Sequence, residues 1–126
     1  METKVETTVE INGVKYVRED SIQNNQPAKQ LEGLDYVIVR TYSAGVFAGY
    51  LKNRDGKEVL LLNARRLWYW AGSASLSQMA MEGTTNPDGC KFPMEVNKVT
   101  LTEAIEILPC TEEARKSIAE VKVWKL

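Results

Sequence analysis

Histidine is absent from the 126 residues of this chain. That removes the commonest general base, the Ser-His and Cys-His nucleophile pairs, and the usual zinc ligand. Cysteine is scarce: Cys90 and Cys110 stand twenty positions apart with no CxxC spacing, which excludes a zinc ribbon or a thioredoxin-type motif. Free core thiols, a disulfide and a reactive pair all stay open for them. A basic excess is missing as well. The 16 basic and 17 acidic residues leave a net charge of −1, whereas a protein that coats duplex nucleic acid needs cations to neutralise phosphates. Duplex nucleic acid is therefore not an expected partner. No apolar run is long enough to span a bilayer, and Met1-Glu2-Thr3-Lys4-Val5-Glu6 lacks the apolar core of a secretion signal. The expectation is a soluble protein in a reducing cytoplasm with no membrane partner. No GxxxxGK[ST] occurs, and no GxGxxG follows a strand pattern.

What is present suits one domain with a modest core, since 44% of the residues are hydrophobic. Residues 7–18 alternate β-branched positions around Asn12-Gly13, the strongest short hairpin signal. They predict an N-terminal hairpin appendage within residues 1–18. Glu19 to Gly33 is polar, rich in Gln and Asn, and reads as a linker. The main domain is expected over residues 34–126. Tyr36 to Tyr42 and Ser43 to Leu51 predict two strands, and Asp55-Gly56 turns the second onto Glu58 to Asn63. Ser73 or Ser75 predicts an N-cap for a helix from Leu76 to Glu82, stopped by Gly83. Val96 to Leu108 holds two alternating blocks, one bent strand or two short ones. Thr111 predicts the cap of a last short helix whose dipole Glu112 and Glu113 favour, and Val121 to Trp124 a closing strand. The fold class is α+β: mainly antiparallel sheet, one short helix packed on it, a second short helix near the C-terminus.

Core-building explains Asn63 to Ser75 least well. The segment sets Arg65 and Arg66 beside Leu67-Trp68-Tyr69-Trp70 and then Gly72-Ser73-Ala74-Ser75. Arginines bind phosphate as planar forks, aromatic rings stack on bases, and helix N-termini offer N–H groups to anions. If extended, Arg66, Trp68 and Trp70 share one face while Arg65, Leu67 and Tyr69 share the other. The same composition also suits a core or an oligomer interface, because Trp, Tyr and Arg are the residues of interface hot spots. Helix capping alone accounts for Ser73 and Ser75. Upstream, Ala44-Gly45-Val46-Phe47-Ala48-Gly49 is unusually rich in small residues, which suits either a helix packed closely on the sheet or a cleft floor under a flat ring.

Catalytic signals are weak. Glu103 and Glu106 have no nucleophile or metal to work with, and Asp88-Gly89-Cys90-Lys91 offers only a thiol beside a lysine. The expectation is a protein that is not an enzyme, with no catalytic residues, no metal and no cofactor. The candidate ligand-binding residues are Arg40, Phe47, Arg65, Arg66, Trp68, Trp70, Ser73 and Ser75. Arg65 and Arg66 would neutralise phosphate, Trp68, Trp70 or Phe47 would stack, and Gly72 to Ser75 would donate N–H groups.

The blocks Val39 to Gly49, Arg65 to Gly72, Ser75 to Gln78 and Leu101 to Thr111 carry a resemblance over the stretch Tyr36 to Trp124. In them the chain resembles a family of small, mostly uncharacterised proteins encoded by phages and prophages. That resemblance carries no catalytic residues with it. It implies a host-cell cytoplasmic setting. By analogy with the Thoeris anti-defence sponges, of similar size and α+β build, it also implies an oligomeric protein sequestering a small nucleotide-like immune signal, a cyclic ADP-ribose isomer or a cyclic oligonucleotide. Two alternatives stand beside it: a protein–protein inhibitor of a host target, and a virion or assembly accessory protein.

Overall fold

A computed structural model describes residues 27–126. The expected hairpin of residues 7–18, and residues 19–26 of the expected linker, lie outside the described residues. The remainder of that linker is attached to the domain. Ala28 is buried and donates its N–H to the Cys110 carbonyl, and Pro27 bridges to Thr111. Ala28 thereby joins the helix-side core.

Five antiparallel strands form one sheet: β1 (Tyr36–Thr41), β2 (Val46–Asp55), β3 (Glu58–Arg66), β4 (Val96–Leu101) and β5 (Ala104–Pro109). Their order is β4-β3-β2-β1-β5. β4 and β5 therefore stand at opposite edges, yet only Thr102 and Glu103 separate them. Three Cα steps reach about 11 Å, while four strand spacings set the edges of a flat sheet about 19 Å apart. The sheet must roll until its edges approach, and the Ala104 N–H donating to the Lys57 carbonyl at 3.0 Å closes the roll. The result is a partly closed barrel.

Strand alternation then sorts the side chains between two cores. Val37, Val39, Phe47, Val59, Leu61, Ala64 and Leu101 fill the inside of the roll. Tyr36, Ile38, Val46, Ala48 and Leu67 face outward, beneath α1 (Leu76–Glu82) and α2 (Glu112–Glu120). Of the two readings of the small-residue strand, packing of helices explains Ala48. Gly49 answers to the sheet itself, since a Cβ there would lie 3.0 Å from Ala64 Cα. That close approach sits beside an irregularity in β2–β3 pairing, where Asn63 takes a left-handed φ of 49°.

Both helices start where the sequence predicts. Ser75 Oγ accepts from the Gln78 N–H, and Thr111 Oγ from the Ala114 N–H, each satisfying a donor with no intrahelical partner. Met79 and Ala80 of α1, and Ala114 and Ile118 of α2, form the buried faces. The expected closing strand is reduced to a single bridge between Phe92 and Val123. Among the described residues no helix is long and apolar enough to cross a membrane.

Candidate functional site

The structure separates the two adjacent arginines. β3 alternates, so Arg65 turns toward the helices and Arg66 toward the mouth of the roll. Arg65 is only 6% exposed. Its Nη1 donates to the Ile118 carbonyl at 2.8 Å, its Nη2 to those of Val121 at 2.6 Å and Phe92 at 3.2 Å, and its Nε to that of Pro93 at 3.0 Å. Two of these carbonyls lie at the C-terminal end of α2, which has no basic residue in its own last turn. Helix-end carbonyls and a negative dipole end call for a cation there, and β3 supplies it. Burial lowers the Arg65 pKa. Arg65 is thus foremost a main-chain clamp, with four N–H groups given to carbonyls and a fifth left over.

Arg66 is exposed and sets its guanidinium 4.5 Å from the centre of the Phe47 ring. Phe47 lies inside the roll, and the exposed guanidinium covers it, so that ring cannot stack on a ligand. Arg40 is exposed and pairs with Glu106 across the β1–β5 register at 3.0 Å. Trp70 is half-buried against the helix-side core, away from the face its spacing predicts to share with Trp68. The alternation ends with β3, and this tail of the segment follows the core. Ser73 Oγ donates to the Gly83 carbonyl at 2.9 Å, Ser75 caps α1, and Gly72 accepts from the Thr85 N–H. The serine loop is therefore committed to closing a seven-residue helix rather than opening to an anion. The eight candidate residues do not converge on one pocket.

Trp68 instead meets a residue far along the chain. Its ring stacks on Trp124 with centroids 4.9 Å apart and planes at 15°. The two residues are 56% and 46% exposed. Lys91 Nζ lies 5.8 and 5.7 Å from their ring centres, and 5.9 Å from that of exposed Tyr69. Backbone pairing builds this ledge: Tyr69 and Lys91 exchange both N–H···O bonds, and the Trp124 N–H donates to the Phe92 carbonyl. Met94, Val96 and Val123 are also exposed. The composition of residues 65–70 pointed to the first half of the ledge. Trp124 escapes any local reading because nothing near it in sequence indicates Trp68.

Behind the ledge a cleft of about 430 Å³ opens between α2 and the sheet, lined by Tyr36, Tyr50, Asn63, Arg65, Glu95 and Arg115, with Ala119, Val121 and Val123 as its apolar wall. Arg115 pairs with Glu112 through Nε at 3.0 Å and Nη2 at 2.7 Å. Those hydrogen bonds hold the Glu112 carboxyl down, to about 2.

The remaining chemistry-bearing groups are dispersed. Cys90 and Cys110 are free thiols, both buried, and burial pushes Cys110 up to about 12. Lys91 turns to the aromatic ledge. Glu103 accepts from Ser43 Oγ at 2.8 Å, and Glu106 is held by Arg40. Among the described residues no group of three His, Cys, Asp or Glu is placed to hold a metal ion.

Compared with known proteins, the chain matches the profile of a domain of unknown function, DUF6948, over residues 34–118. That span includes Trp68 and Lys91 and stops short of Trp124. No curated protein matches the chain, and no solved structure does.

Proposed function

We propose that this chain, which belongs to the DUF6948 domain family, is a non-enzymatic binding protein whose working face is the Trp68–Trp124 ledge and whose occupant is another protein. One observation carries this reading. Two stacked indoles stand about half exposed beside a lysine that also approaches exposed Tyr69. Trp, Tyr and Met are enriched where protein interfaces are most buried. Covering the exposed parts of both tryptophans would remove about 250 Å² of mainly apolar surface from water, worth roughly 6 kcal/mol before the costs of association. The matching partner has an apolar or aromatic centre and a carboxylate set to meet Lys91. The resemblance to phage-encoded proteins supplies the setting: a host cytoplasm, with a host defence or takeover protein as target.

A second reading, capture of a nucleotide-derived ligand, is favoured by Arg66, which is exposed and two positions from Trp68.

Affinity capture from host lysate, comparing the wild-type chain with Trp68→Ala/Trp124→Ala, separates the two. A stoichiometric protein retained by the wild type and lost by the double variant supports the ledge. Retention by the double variant as well sinks it. A self-dimer that dissociates in the double variant replaces the foreign partner with a second copy. Calorimetry against cyclic nucleotides and ADP-ribose isomers, showing binding abolished by Arg66→Ala, replaces it with a small ligand.

A further inference from the structure

The cleft behind the ledge is independent of the docking reading and contains groups that the fold does not use up. Tyr36 is 7% exposed. Among the described residues no hydrogen bond ends on its hydroxyl, yet it lines the cleft and lies within electrostatic reach of Glu95, Arg115 and Tyr50. Burial raises its pKa, so the hydroxyl keeps its proton and is a donor. A buried polar group without a partner is costly.

Around it the donors outnumber the acceptors. Arg65 has one Nη1 N–H beyond the one given to Ile118. Arg115 gives one edge to Glu112 and also hydrogen-bonds the Tyr50 hydroxyl, so its guanidinium faces the cleft beside that ring. The Tyr50 hydroxyl, which accepts from Arg115, and the Asn63 amide complete the rim. Against these, Glu95 is the one carboxylate among the lining residues. It is exposed at the mouth, and its charge raises the Arg65 pKa, as the charge of an incoming anion would. The cleft volume is that of small-ligand sites.

We propose that this cleft binds a small oxyanion-bearing molecule, a phosphate ester or a carboxylate, with the Tyr36 hydroxyl and the Arg115 guanidinium as its donors and Glu95 as the competing carboxylate of the lining. The buried Arg65 contributes charge from the floor. The apolar wall of Ala119, Val121 and Val123 takes the uncharged part of the ligand.

Amide NMR of the full chain, titrated with inorganic phosphate and separately with acetate, tests this, with chloride at matched ionic strength as the control. Saturable shifts at Asn63, Glu95, Ala119 and Val121 in one of the two titrations are expected, and the responding ion names the ligand class. Arg115→Met should weaken binding about tenfold through loss of a charge-assisted donor. Tyr36→Phe should weaken it about threefold through loss of one hydroxyl. Glu95→Gln keeps the clamp and should tighten binding about threefold by removing the competing charge. Shifts that never saturate, or that saturate alike in Tyr36→Phe and Glu95→Gln, overturn the proposal. Indole signals of Trp68 and Trp124 report on the ledge separately, so failure here leaves the docking reading to its own test.

Discussion

The Arg65 guanidinium on β3 reaches the Ile118 carbonyl on α2 at 2.8 Å and ties the sheet to the far end of a helix that ends without a cation of its own. It satisfies four main-chain acceptors at once. Arg65→Ala should therefore cost roughly 3–5 kcal/mol of folding free energy. Arg65→Lys should recover less than half of that, because an ammonium cannot hold four carbonyls in a planar fork. Urea unfolding measures both, and an unchanged midpoint in Arg65→Lys would show that the fork geometry is irrelevant.

The Trp68–Trp124 stack lies in the open, so it should be a weak element of stability and a strong element of binding. A double-mutant cycle with alanine at both positions should give a coupling of about 1 kcal/mol in thermal or chemical unfolding. A coupling several times larger would mean that the pair serves the fold first.

At Gly83 the backbone has φ of 78°, and a Cβ would collide with Ser117 Cβ. Gly83→Ala should destabilise by about 2 kcal/mol or more, through left-handed strain and displacement of α2 from α1. Adding Ser117→Ala should restore little, since that change removes Oγ and leaves Cβ in place. Full rescue would point to the hydroxyl rather than the backbone.

The Glu112–Arg115 pair makes stability fall in acid. The Glu112 carboxyl titrates at about 2 in the folded chain because Arg115 hydrogen-bonds it, against roughly 4.3 when unfolded. The unfolded state binds the proton first as pH drops, so the pair's contribution is full above about pH 5 and disappears toward pH 2. Glu112→Gln should lower the melting midpoint near neutral pH and converge with the wild type near pH 2. Parallel curves across that window would assign the acid sensitivity to other carboxylates.

Much of the fold was legible in the sequence because its signals are local. Asp55-Gly56 announces the β2–β3 turn within two residues. Ser75 and Thr111 announce their helices through side-chain oxygens that reach donors three positions ahead. The candidate site was legible only in composition. Trp68 stands in the ledge, but Arg65, Phe47, Trp70, Ser73 and Ser75 each proved to have structural work that an isolated segment does not display. Trp124 and Lys91 meet at the ledge, and Tyr36 and Arg115 line the cleft, each pair drawn from separate parts of the chain that no spacing rule connects.

By itself the sequence determined the alternation of β1 to β3, the turns, the helix caps and the lack of histidine chemistry. These depend on periods of a few residues and on which side chains exist at all. Tertiary structure alone decided that Arg65 faces inward and Arg66 outward, that the sheet rolls, and that Trp68 finds Trp124. Strand alternation says that adjacent side chains part company, but not which of them meets the helices. That choice follows from how the two-residue β4–β5 link rolls the sheet and where α2 then ends, and both are set by contacts between residues far apart in the chain.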